Sequence, residues 1–302
     1  MQNEFTTPRI SVVIATYNRP DLAARLLTQL AAQTMAATEF EVVVVDDGSR
    51  VAFPEISVPY RLTVLRQENQ GAAAARHRGA RAASGDVVLF LDDDMEVPNV
   101  LLEEHARLHD EDPSAVVLGW IKPSTAGDPP LFERFHARHL DQLAEGVRGG
   151  RLTLRGIDVW SGNLSLRRQQ YLKVGGFDAE LGLSDHASLS GWLKRAYRYG
   201  GTDLRISRKH PDVRHANPWR YSSVVTPLSL PFLACALAAP RSARVVARGV
   251  MAVATSLDAI GMERAALAGT DLAFGMQYAR GLRDEVGGLG ATVRDLVRYH
   301  RA

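Results

Sequence analysis

Val87-Val88-Leu89-Phe90-Leu91-Asp92-Asp93-Asp94 is an apolar run that stops on three carboxylates. The run from Asp86 to Leu91 reads as a strand. Three adjacent carboxylates repel one another, and left unpaired in a crevice they would raise one another's pKa. A divalent cation resolves that conflict. Mg²⁺ and Mn²⁺ prefer carboxylate oxygen, commonly take one or two ligands from the protein, and complete their shell with phosphate and water. Alternation along extended chain puts Asp92 and Asp94 on one side. An isolated acidic triplet is more often a solvated turn or a helix N-terminus. Its position at the end of a strand tips the reading towards a site.

Working outward, the same rhythm repeats. Residues 10–15 form a buried strand, broken by Asn18-Arg19-Pro20. Pro20 suits the first turn of a helix carrying Leu22, Leu26, Leu27 and Leu30. Phe40 to Val45 is apolar apart from Glu41 and does not alternate, as in a strand covered on both faces, and stops at Asp46-Asp47-Gly48-Ser49. A weaker strand over 61–66, an Ala-rich helix over 71–83, a helix over 97–110 and a strand over 115–121 follow. Strands alternating with helices predict an α/β fold, a mostly parallel sheet with helices on both faces. Ligands of such sheets bind outside the carboxyl ends of the strands, so the two acidic clusters should face one crevice. After residue 121 the rhythm changes to a loop over 123–130, a helix over 131–144, a short strand over 163–166 and a helix over 183–199. Beyond Pro218, Val246, Val250, Val253, Leu257 and Ile260 recur at helical spacing.

Composition narrows the function classes. At 302 residues, with 46% hydrophobic and 23% charged, the chain is globular and long enough for two domains. Disordered, collagen-like and disulfide-dense classes are excluded. Lys+Arg of 36 against Asp+Glu of 34 gives a net charge of +2, which argues for no nucleic-acid partner. Four of those 36 are lysine, so arginine dominates. That choice reflects either base composition or a guanidinium-lined phosphate site. Cys235 is the single cysteine, which suits a reducing cytoplasm. Residues 1–8 lack a basic segment followed by an apolar one, so no signal peptide is expected. The longest apolar stretch, Val224 to Ala239, is 16 residues long and holds two prolines. A spanning helix needs about 20 apolar residues.

An ordered set of motifs then emerges. Ser11-Val12-Val13-Ile14-Ala15-Thr16-Tyr17-Asn18-Arg19 comes first, then Val44-Val45-Asp46-Asp47-Gly48-Ser49. Asn69-Gln70-Gly71 with Ala75-Arg76, and Gly85-Asp86 leading into Asp92-Asp93-Asp94, follow. Gly162-Asn163-Leu164-Ser165-Leu166-Arg167 and Gly175-Gly176-Phe177-Asp178 complete it. Over residues 9–218 the chain resembles family 2 glycosyltransferases with the GT-A fold, a Rossmann-like mixed sheet flanked by helices. That resemblance implies a domain over 1–218, its nucleotide-sugar half at about 9–121 and its acceptor half at about 122–218. A helical C-terminal extension occupies 219–302.

The resemblance also implies a hexosyltransferase reaction: metal-dependent, inverting transfer from a nucleoside diphosphate sugar to a hydroxyl acceptor, glycan, lipid-linked or other. UDP is the family's commonest donor nucleotide. By motif position, Ala15, Tyr17, Asp47, Arg76 and Asp93 bind the donor. Tyr17 lies over the base, Asp47 hydrogen-bonds it, Arg76 sits near the diphosphate and Asp93 contacts ribose or sugar. Asp92, Asp94 and His215 hold the Mg²⁺ or Mn²⁺, with His210 a near competitor of His215. Asp46 reads as structural. The base is Asp185, in Gly182-Leu183-Ser184-Asp185, although Ser184 stands where the family usually has glutamate. Asp185 could instead cap the helix that follows.

Other readings compete. Ser184 leaves open an inactive sugar-nucleotide-binding protein. A nucleotidyltransferase lacks support, because no Gly-rich, basic loop follows the first strand. A dinucleotide oxidoreductase lacks its Gly-x-Gly-x-x-Gly. His105 and His109 have zinc-like spacing, but without a third ligand they read as a polar helix face, as do His136 and His139. Residues 219–302 are expected either to touch a membrane surface through Val224–Ala239 and Arg241, Arg244 and Arg248, or to form a homodimer contact or helical cap. The expected location is cytoplasmic, with a peripheral place at the inner membrane face under the first option.

Overall fold

The computed structural model describes residues 7–121, 129–153, 160–177, 188–209, 217–219 and 227–301. Runs of Val, Ile and Leu that lack an alternating polar face are stable only with both faces covered. They form inner strands here. The first compact unit, residues 1–121 with 153–184, is built on them. Its elements are β1 (Ile10–Thr16), α1 (Pro20–Leu30), β2 (Phe40–Asp46), β3 (Arg61–Arg66), α2 (Ala72–Ala82) and β4 (Val87–Asp92). They continue with α3 (Leu101–Glu111), β5 (Val116–Leu118), β6 (Asn163–Arg167) and α5 (Arg168–Lys173). The sheet order is β3-β2-β1-β4-β6-β5. β1 to β4 are mutually parallel, whereas β6 runs antiparallel to both β4 and β5. The sheet is therefore mixed and mostly parallel, as expected. The strand expected over 115–121 shrinks to three residues, and its partner is β6.

β1, β2 and β4 feed both faces. Val12, Ile14, Val42, Val44, Leu89 and Leu91 pack under α1 and α3 with Leu26, Leu27, Leu30 and Leu102. Their neighbours Val13, Val43, Val45, Val88 and Phe90 point the other way, against Ala75 and Ala80 of α2. Each such side chain contributes about 1.5–3 kcal/mol by leaving water. The α2 helix approaches closely because Gly79 has no Cβ. One built there would strike the side chains of Val13 and Val45.

The second compact unit, residues 122–152 with 185–302, is helical. It contains α4 (Leu131–Arg148), α6 (Leu189–Lys209), α7 (Leu230–Ala238), α8 (Pro240–Ala259), α9 (Glu263–Val286) and α10 (Leu289–Arg301). So α4 and α6, inside 1–218, group with the tail helices. The α6 helix starts later and runs further than the 183–199 reading. Small residues let α6 and α9 touch backbone to backbone. A Cβ on Gly281 would fall on the Tyr197 carbonyl oxygen, and one on Gly200 on the Tyr278 carbonyl oxygen. Phe132, Trp192, Ala243, Ala247, Met251, Ala273 and Met276 form its largest core. Of the Val224–Ala239 stretch, residues 227–238 form a 3-10 turn and then α7. Among the described residues, no helix is long and apolar enough to cross a membrane.

Candidate functional site at the strand ends

The parallel register brings the acidic clusters level. Thr16 pairs with Asp46 across β1 and β2, and Ala15 pairs with Asp92 across β1 and β4. Three strand tips thus end along one rim. There the chain must leave the sheet, so polar residues replace valines.

At the tip of β4, the three carboxylates diverge. Asp93 has a fully buried side chain. The Thr16 hydroxyl donates to its Oδ2 at 2.7 Å, and an Arg19 guanidinium nitrogen lies 2.8 Å from its Oδ1. Asp94, 51% exposed, lies 3.4 Å from Arg19. Asp92, 39% exposed, is ion-paired to Arg76. Its backbone N–H donates to the Gly162 carbonyl at 3.2 Å, and a Cβ on Gly162 would come within 2.7 Å of Oδ2. Gly162 therefore lets the carboxylate sit flat against the next segment. Two guanidiniums, from Arg19 and Arg76, offset the mutual repulsion of the triplet. In the sequence Arg19 belongs to a strand-breaking turn and to the first motif, with no role assigned to it. An arginine directly before the helix proline was the available signal.

At the tip of β2, Asp46 accepts the Ser49 N–H at 2.9 Å and faces Arg66, the structural role expected of it. Asp47 is buried and faces protein on both oxygens. Oδ1 accepts from Gln67 Nε2 at 2.7 Å and from the Gln70 N–H at 3.0 Å; Oδ2 accepts the Gly71 N–H at 2.8 Å. It thereby anchors the turn that enters α2, where Gly71 has φ +90°. Asp47 and Asp93, expected against the donor, are thus both occupied by the protein's own donors. Tyr17, by contrast, is 46% exposed beyond β1. Next to it Asn18 has φ +56°, its N–H donates to Ser49 Oγ at 2.8 Å, and its Oδ1 accepts the Arg50 N–H at 2.9 Å. Asn tolerates this left-handed conformation better than most residues. Arg76 is mostly buried and holds Asp92. Asp185, His210 and His215 lie outside the described residues.

Among the described residues, no three His, Cys, Asp or Glu side chains converge tightly enough to cage a metal. The donor set still suits a hard cation. Asp92 and Asp94 are the two exposed carboxylates of the triplet, and cations of the Mg²⁺ class commonly use one or two protein carboxylates beside substrate phosphate.

His105 and His109 need correction. They are not a polar face but are buried under β6. His105 lies 2.7 Å from Ser165 Oγ and 3.0 Å from Asn163 Oδ1, and His109 Nε2 lies 2.8 Å from Ser165 Oγ. Burial pushes His105 down to about 4, despite the opposing Asn163 hydrogen bond, and also lowers His109. His77, whose role the sequence left open, lies 3.2 Å from the Tyr171 hydroxyl. That hydroxyl accepts the Phe177 N–H at 3.1 Å, tying α2 to the Gly175-Gly176 turn.

A model of glycosyl transferase family 2 matches residues 11–174. A validoxylamine A glucosyltransferase from Streptomyces hygroscopicus subsp. jinggangensis is 31% identical over 232 residues, covering 66% of this chain and 50% of that protein. A glucosyl-dolichyl phosphate glucuronosyltransferase from Haloferax volcanii is 27% identical, covering 58% of this chain and 57% of that protein. The chain spans about half the length of these curated relatives. In fold, it is similar to a mannosyltransferase from Pyrobaculum calidifontis solved with GDP-Man and Mn²⁺. The TM-score is 0.58 at 17% identity, over 91% of this chain and 87% of that one.

Proposed function

The chain belongs to glycosyl transferase family 2, and on that premise we propose that it transfers a hexosyl group, with inversion, from a nucleoside diphosphate sugar to a hydroxyl acceptor. The observation that carries this reading is the rim itself. It places a carboxylate triplet, two arginines and an exposed tyrosine at the carboxyl ends of adjacent parallel strands, where open α/β sheets take their ligands. The relatives' named reactions, glucosyl and glucuronosyl transfer, support a hexose.

Each residue has a part in this reading. Tyr17 offers its ring to the base, and Asp47 shapes the base-side turn by holding the backbone of Gln70 and Gly71. Arg76 supplies a guanidinium to the diphosphate, a geometry it matches well. Asp93 orients Arg19 and Thr16. Asp92 and Asp94, with His215, would hold Mg²⁺ or Mn²⁺, and the bound ion would neutralise charge that grows on the departing diphosphate. Asp185 accepts the acceptor's proton late in the transfer, when the hydroxyl has become acidic. UDP is the nucleotide we favour, and glycan or lipid-linked molecules the acceptors.

The test is calorimetric binding of UDP-, GDP- and dTDP-sugars with and without Mn²⁺, followed by a turnover assay. Asp94→Ala should lose metal-dependent binding, and Asp185→Asn should bind yet not turn over. If the unaltered chain binds a sugar nucleotide but never turns it over, the inactive-binder reading raised by Ser184 replaces this one. If it binds none, the proposal fails.

A further inference from the structure

A second charged site lies wholly within the helical unit. Arg241, Ser242, Arg244, Arg280, Arg283 and Asp284 line a cavity of about 520 Å³ at the start of α8. Four arginines face one carboxylate. That carboxylate is already engaged: Arg283 Nη1 donates to Asp284 Oδ1 at 2.6 Å, and the Tyr197 hydroxyl donates to Oδ2 at 2.9 Å. The lining is strongly positive, where an ordinary protein interior pairs its charges.

Arg280 makes the arrangement unusual. It is 96% buried (4% exposed), its guanidinium lies 5.1 Å from the Tyr197 ring centre, and its Nη1 donates to Gln277. Its Nε has no hydrogen-bond partner among the described residues. Burial and the nearby Arg244 charge both lower its pKa. Holding a buried guanidinium beside other guanidiniums is costly unless an anion completes the site. The helix supplies further donors. Pro240 occupies the first turn of α8 without a side-chain cap, so the N–H groups of Arg241 and Ser242 have no acceptor one turn back in the helix. The helix dipole adds to their pull on negative charge.

We propose that this cavity binds the phosphate group of a phosphate ester. Guanidinium forks match tetrahedral oxyanions in pairs, and the volume lies within the usual range for small-ligand pockets, about 300–1,000 Å³. The phosphate could be borne by a lipid or by a soluble molecule. Exposed Leu228 and Leu230, at the far end of α7, suit the first source. The site is built from residues other than those of the strand-end rim and does not depend on the transferase reading.

Two arms test it on the full chain in metal-free buffer. One titrates inorganic phosphate calorimetrically. The other sediments the chain with phosphatidylcholine vesicles carrying phosphatidic acid, against phosphatidylcholine alone. Arg244→Glu and Arg241→Glu change exposed side chains of the lining, and circular dichroism checks that each folds. Both should weaken binding by about tenfold or more, as expected for loss of a charge-assisted contact with reversal of its sign. Arg248→Glu, exposed on the same helix but outside the lining, should change it by less than about twofold. Binding in the soluble arm alone assigns a free phosphate ester, and binding in the vesicle arm a lipid-borne one. No binding in either arm overturns the proposal. So does equal loss in Arg248→Glu, or loss in Arg76→Ala without loss in Arg244→Glu.

Discussion

In the sheet unit the buried carboxylate Asp93 meets Thr16 and Arg19, and the half-buried Asp92 meets Arg76. In the helical unit Asp203 accepts from a neutral hydroxyl, that of Tyr278 at 2.7 Å, and Arg280 is buried beside other arginines. Burial accordingly raises Asp203 to about 6. The contrast shows where charge is resident and where it is waiting. The tip of β4 pairs its acids with arginines, whereas Asp203 and Arg280 are buried in the helices with their charge incompletely offset.

The largest way to break the comparison is at the helix crossing. Gly281→Val should cost the helical unit more than about 3 kcal/mol, because the new side chain meets backbone that cannot rotate aside. Hydrogen exchange should show α6 and α9 losing protection.

Acid sharpens it. His105 is held neutral, so below its ordinary 6.5 the unfolded chain takes up a proton that the folded chain refuses until about 4. Its contribution is present above 6.5 and is lost as pH falls towards 4, by about 3 kcal/mol. Asp203 has the opposite sign. Its folded carboxyl gains a proton at about 6, the unfolded one at 3.8, so falling pH adds stability there, by about 3 kcal/mol. Between pH 6.5 and 4, exchange protection should weaken around α3 and β6 and strengthen around α6 and α9. His105→Asn and Asp203→Asn should each flatten its own unit's response.

The smallest effect is at the turn into α2. Asp47→Asn keeps the shape but exchanges an acceptor pair for an amide, and should cost about 1.5 kcal/mol. Urea unfolding measures it, and sugar-nucleotide affinity should fall with it.

Much of the sheet unit was readable beforehand, for a physical reason. Strands buried on both faces need long apolar runs, so Val42–Val45 and Val87–Leu91 declare themselves and their acidic ends declare the rim. The partner arginines did not, since Arg19 reaches Asp93 across 74 residues and nothing local marks that contact. His105 and His109 misled because helical spacing alone does not say which face is inside. In the helical unit, the stripe from Val246 to Ile260 fell almost wholly on α8, but Gly200 and Gly281 gave no sign of one another. The arginines near the start of α8 suggest headgroup contacts only under the membrane-surface option, and nothing local joins them to Arg280 and Arg283, a helix away in sequence.

The left-handed Asn18 has a mechanical corollary. Through Ser49 and Arg50 it staples the loop after β1 to the loop after β2, so neither can swing alone. Tyr17 rides on that staple. Its ring should present a rigid shelf whose tilt is set by a neighbouring loop, and if the proposed base contact is made there, Ser49→Ala should alter base selectivity without touching the aromatic ring itself.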